Sequence, residues 1–140
     1  MNFFDTNILV YAYDFSENEK REKCWKIIKS VFEGEKEGYI SNQILAELFY
    51  VLTKNMRKQV PIDDINDILL SLLDSHNWKK INYNHLTIKR AMHLSEKYKM
   101  HFWDALICAT MLENNIFSIY TENEKDFKKI PGLKAINPFS

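Results

Sequence analysis

Short apolar runs alternate with longer segments of helical period along this 140-residue chain, and that alternation restricts the fold more than any other feature. Residues 2–5 (Asn2-Phe3-Phe4-Asp5) read as a short buried strand followed by a turn. Tyr39-Ile40 reads as a minimal strand, Lys79-Lys80-Ile81 as an edge strand, residues 116–120 as a fully buried one and Lys134-Ala135-Ile136 as the last. Ser16-Glu17-Asn18-Glu19 has the form of a capping box. Behind it Cys24, Ile27, Ile28, Val31 and Phe32 recur at helical spacing, and Gly34 marks the stop. Ser41 is placed to cap a helix that carries Glu47. Pro61 suits the first turn of another, with Ile65, Ile68, Leu69, Leu72 and Leu73 in one stripe. A helix over about 84–99 is expected to bury Ile88, Ala91, Met92 and Ser95, and one carrying Asp104 runs to about residue 114. Short apolar strands separated by helices pair in parallel through helical crossovers. The expectation is one α/β domain spanning residues 1–140: a three-layer α/β/α sandwich around a short parallel sheet of four or five strands.

Three acids interrupt the apolar runs. Asp5 follows Phe3-Phe4, Glu47 divides Ile44-Leu45-Ala46 from Leu48-Phe49-Tyr50, and Asp104 lies between Phe102-Trp103 and Ala105-Leu106-Ile107. A carboxylate in or beside a core costs several kcal/mol unless it is paired. No Lys or Arg stands inside those runs, so a divalent cation is the economical partner. Each acid also has a plain structural reading: Asp5 as a turn former, Asp104 as a charge complementing a helix N-terminus, Glu47 with a protein partner. In open parallel sheets chemistry collects beyond the carboxyl ends of the strands, where Asp5 and the segment Thr121-Glu122-Asn123-Glu124-Lys125-Asp126 fall.

Composition narrows the class. Nineteen basic and nineteen acidic residues cancel, so no global charge advertises a nucleic-acid partner, although a local basic rim and a metal suffice to hold a phosphate backbone. Cys24 and Cys108 lack metal or redox spacing and read as reduced core thiols. There is no signal-like N-terminal segment and no apolar run of membrane-spanning length, so a soluble, cytoplasmic protein without a membrane partner is expected. The four His fit no ligand spacing; His101, near Asp104 in sequence, is the one to watch. Phe102 and Trp103 have two readings, stacking on a base or core packing beside a helix start, and packing is the favoured one. Lys54, Arg57 and Lys58 form a basic cluster near the end of the Glu47 helix, and Lys128 and Lys129 follow the last acidic segment. Basic residues there either complement a helix dipole or track phosphates.

The ordered set of motifs resembles the PIN domain family. Phe4-Asp5-Thr6-Asn7-Ile8-Leu9 is similar to the family's opening, Ser41-Asn42-Gln43-Ile44-Leu45-Ala46-Glu47 to its second acidic motif, and Phe102-Trp103-Asp104-Ala105-Leu106-Ile107 to its third. Tyr120-Thr121-Glu122-Asn123 with Asp126-Phe127 resembles the fourth, and Ile136-Asn137-Pro138-Phe139 the close. Order and spacing agree over roughly residues 3–139, and the size is most similar to that of VapC-type toxins of toxin–antitoxin pairs. The resemblance implies a Mg²⁺- or Mn²⁺-dependent endoribonuclease with Asp5, Glu47, Asp104 and Asp126 as catalytic, metal-holding acids. It implies that Thr6 and Asn7 shape the adjoining loop and that Thr121 orients the cluster. It also implies an RNA substrate of tRNA-like kind, a small antitoxin partner and a homodimer. The chain has Asn123 where many relatives have Asp, so Asp126, Glu122 or Asn123 stands open as the fourth ligand, as does one metal against two. Two other classes compete. A PIN-like fold without turnover would be a metal- or RNA-binding module. Asp5-Thr6-Asn7 also resembles, more distantly, the opening of haloacid-dehalogenase-like phosphatases, whose second Asp is Asn7 here.

Overall fold

A computed structural model of the chain describes residues 1–54 and 60–140. The elements run β1 (Asn2–Phe4), α1 (Thr6–Ala12), α2 (Asn18–Phe32), β2 (Gly38–Ser41), α3 (Asn42–Lys54), α4 (Ile62–Asp74), β3 (Trp78–Ile81), α5 (His85–Tyr98), α6 (Phe102–Glu113), β4 (Ser118–Tyr120), α7 (Glu124–Phe127) and β5 (Lys134–Ile136). The five strands form one parallel sheet in the order β3-β2-β1-β4-β5. Consecutive strand residues face opposite sides of a sheet. Phe3 and Phe4 are both fully buried, as are Ile119 and, nearly, Tyr120, so both faces of the centre are covered. Helices α1–α4 pack in one chain of contacts and α5–α7 in another, which completes the expected α/β/α layering.

The strand order fixes where a site can form. From β1 the chain steps outward to β2 and β3 on one side, and later returns to place β4 and β5 on the other. The strand sequence therefore reverses between β1 and β4, and the crevice at their carboxyl ends is the usual ligand position of such sheets. Asp5 directly follows β1 and Thr121 directly follows β4.

Three local expectations are corrected. Helix α1 starts at Thr6 with Asp5 as its N-cap, where the sequence suggested a turn; the run Ile8-Leu9-Val10 is buried on all sides and shows no amphipathic period. Ser16 does not cap α2: that helix begins at Asn18 without a side-chain cap, and the Ser16 hydroxyl donates to Asp14 instead. In α5 the buried stripe is Thr87, Ala91 and Leu94, while Met92 is 61 % exposed and Ile88 lies at the surface. Its N-terminus is a reciprocal capping box of Asn84 and Thr87, which sets the phase of the helix. Ser41 does serve α3, accepting from the Ile44 N–H at 3.4 Å. Cys24 and Cys108 are free and buried. Among the described residues no helix is long and apolar enough to cross a membrane.

Candidate active site at the carboxyl edge of the sheet

Each acid is set by the element that delivers it. Asp5 leaves β1 in extended conformation and caps α1: its Oδ1 accepts from the Thr6 N–H at 2.8 Å and its Oδ2 from the Thr121 hydroxyl at 2.8 Å. That second bond closes the β1–β4 crevice. Glu47, in the second turn of α3, accepts from the Thr6 hydroxyl at 2.6 Å and from the Gln43 amide at 3.1 Å, one helical turn earlier. The same Gln43 amide donates to the Trp103 carbonyl at 3.0 Å, tying α3 to the first turn of α6, where Asp104 stands. Gln43 is only 4 % exposed and its Oε1 has no partner among the described residues. A buried acceptor left without a donor costs about 1–3 kcal/mol, a cost accepted here to hold Glu47.

The fourth corner is built around Asn123. Its amide donates to Asp104 Oδ2 at 3.1 Å and to Asp126 Oδ2 at 3.0 Å, while its own N–H is held by the Thr121 hydroxyl at 2.9 Å. Asp126 also pairs with Lys129 at 3.2 Å. Glu122 turns elsewhere: it takes Lys20 at 2.9 Å and the Tyr11 hydroxyl at 2.8 Å, so it does not share the cluster.

The electrostatics follow the geometry. Burial, opposed by the Thr121 hydrogen bond and reinforced by the charges of Asp104 and Glu47, pushes the Asp5 carboxyl up to about 6. Burial and the charge of Asp126 also raise Asp104. Asp126 itself is held below its ordinary value by the hydrogen bond from Asn123 and by Lys129. The acids thus feel one another across four elements. Among the described residues no three Asp, Glu, His or Cys side chains come together as a group that could hold a metal ion. The donors are nevertheless hard oxygens, and Asp5 and Asp104 both have raised proton affinity, which suits a hard divalent cation such as Mg²⁺ that keeps several waters and takes one or two carboxylates.

The other expected residues separate. Asn7 is exposed in the first turn of α1, outside the hydrogen-bonded cluster. Lys54 ends α3 exposed; Arg57 and Lys58 lie outside the described residues. Lys129 is engaged by Asp126 and Lys128 lies beside Glu124. His101 is the unbonded N-cap of α6, and its charge favours ionisation of Asp104. Trp103 does not pack inside: it is 52 % exposed. Sequence reasoning missed Gln43 as a participant, although its position one turn before Glu47 marks the same helix face.

A family model described as "PIN domain" matches residues 3–133. No curated protein sequence matches the chain. Among solved structures, a toxin–antitoxin complex from Klebsiella pneumoniae superposes with a TM-score of 0.72 at 23 % identity, covering 99 % of this chain and 98 % of that one. VapBC2 from Rickettsia felis, bound to a DNA fragment from its promoter, gives 0.70 at 23 % identity with 97 % of each chain covered. VapC20 from Mycobacterium tuberculosis, a sarcin–ricin-loop-cleaving toxin, gives 0.69 at 12 % identity, covering 96 % of this chain and 98 % of that one. At these identities the likeness is one of fold.

Proposed function

Because the chain belongs to the PIN domain family, we propose that it is a metal-dependent endoribonuclease, the toxin of a VapBC-type pair. The observation that carries this reading is the hydrogen-bonded arc Glu47–Thr6–Asp5–Thr121–Asn123–Asp104/Asp126 at the carboxyl edge of the sheet. Asp5 and Asp104, with Glu47 directly or through water, would hold the first cation, and Asp126 would help hold a second. A bound divalent cation supplies neutralisation of phosphate charge and a more acidic water. The chain's own contribution is positional. Thr6 and Gln43 fix both oxygens of Glu47, and Thr121 aims one oxygen of Asp5 while the α1 backbone takes the other. Asn123 spaces Asp104 from Asp126 with a neutral amide, where a third carboxylate at that corner would add repulsion. A cytoplasmic RNA, tRNA-like in kind, is the proposed substrate.

The partners belong to the same reading. Toxin–antitoxin assemblies among the structural neighbours support a small antitoxin as partner. Ile88 and Met92, one turn apart on α5 and exposed, support self-association into a homodimer through that face.

The deciding experiment incubates purified protein with total RNA, with and without Mn²⁺, beside an Asp104→Asn control. Cleavage that needs both the metal and Asp104 is the expected result. RNA binding without metal-dependent cleavage would instead favour a non-catalytic binding module.

A further inference from the structure

We propose that the pocket walled by Tyr50, Tyr83 and Trp103 beside Glu47 is a nucleobase subsite, holding one unpaired base of the strand whose phosphate lies at the acidic centre. The inference rests on the nuclease reading above. Gln43, Ala46, Glu47 and Tyr50 stand at i, i+3, i+4 and i+7 of α3, a single stripe distinct from the buried Ile44, Leu48 and Leu52. Tyr83, from the β3–α5 connection, and Trp103, from the first turn of α6, close the other sides. This open depression has a volume of about 460 Å³, within the roughly 300–1,000 Å³ of small-ligand pockets.

Several features point to a base as the occupant. Trp103 and Tyr50 (60 % exposed) offer aromatic rings to solvent, and every base has a face that stacks on such rings. The pocket is not uniformly apolar: Glu47 and Gln43 also line it, and Gln43 Oε1, without a partner among the described residues, is an acceptor that a ring amine or N–H can complement. An apolar side chain from another protein would desolvate the Glu47 carboxylate without compensation. Spacing agrees as well. Glu47 and Tyr50 are three residues apart, roughly 4.5 Å along the helix axis, so a base on Tyr50 stays within a nucleotide of a phosphate at Glu47. Ala46, exposed between them, leaves the space open.

The test measures binding of a short single-stranded RNA, and of a same-length abasic strand, in an Asp104→Asn background with Mn²⁺. Tyr50→Ala and Trp103→Ala are each expected to weaken RNA binding about tenfold. They should leave abasic binding and the melting temperature unchanged. Trp103→Phe should restore most of the affinity, and Ala46→Leu, a good helix former that fills the pocket, should mimic the loss. Equal affinity for the two strands, or no effect of either aromatic substitution, overturns the subsite. A monomer–dimer shift abolished by Tyr50→Ala without an RNA effect also overturns it, by assigning the pocket to a second copy. Cleavage is scored separately with Asp104 intact. Base-dependent binding without metal-dependent cleavage would keep the subsite and remove the nuclease.

Discussion

At residue scale Asp5 carries opposing demands: it caps α1 as an ionised acceptor, yet it is buried among other acids. Its carboxyl sits at about 6, against 3.8 for an ordinary Asp. The folded state therefore keeps a proton that the unfolded chain releases between about pH 4 and 6. Stability falls as pH rises through that window, and the cost is complete above it, on the order of 3 kcal/mol from the shift. Asp5→Asn keeps the Oδ1 cap and removes the charge. In EDTA at pH 7 its melting temperature should exceed that of wild type by several degrees, and the gap should close toward pH 4. With Mn²⁺ added the order should reverse, because only the wild type gains from the ion; thermal melts at two pH values, with and without metal, check both signs. Asn123→Asp is the converse case. Replacing the bridging amide by a third charge should destabilise the metal-free protein by about 1–3 kcal/mol and enlarge the melting shift that metal produces. The main acids were legible because a charge inside an apolar run is anomalous. Asn123 entered only through the family resemblance and Gln43 was missed, because neutral amides raise no such alarm and declare their bridging role only through geometry.

At the scale of elements, the strands and most helices were readable from period, but their phase was not always so. Helix α5 shows why. Ile88 and Met92 look like core residues by hydropathy, whereas the Asn84–Thr87 capping box turns Thr87, Ala91 and Leu94 inward. Helix α1 was hidden for a different reason: of its seven residues only Asn7 is exposed and Tyr11 half-buried, too narrow a stripe to mark a helical period. Close packing supplies the sharpest test here. A Cβ on Gly38 would meet Val31 Cγ1 at 2.7 Å and Trp78 Cζ3 at 3.0 Å, where α2 and β3 press on β2. Gly38→Ala should lose about 1–3 kcal/mol by urea unfolding through overpacking, with little change in metal binding.

For the whole molecule, surface chemistry divides the chain into working faces. Basic and acidic residues balance overall, so what recognises phosphate must be local, and the carboxyl edge of the sheet gathers acids and exposed aromatics together. The α5 face is the proposed self-association surface. Met92→Glu should shift the protein to monomer in sedimentation experiments without lowering its melting temperature, since Met92 is exposed within one copy. The family resemblance implied a homodimer, but no residue of the proposed face was legible as such in the sequence, where an apolar helix residue reads equally well as core.

The bond between Thr121 and Asp5 spans 116 positions of the chain. A ribosome delivers Asp5 early and Thr121, Asn123 and Asp126 much later, and β1 has no β4 beside it until then. The hydrogen-bonded arc is thus incomplete until the late strand β4 pairs with the early β1 and brings Thr121 to Asp5. Such distant pairing is slow compared with local helix formation. For an enzyme proposed to cut the cell's own RNA, that delay is an interval in which a partner can reach the chain before its edge is complete.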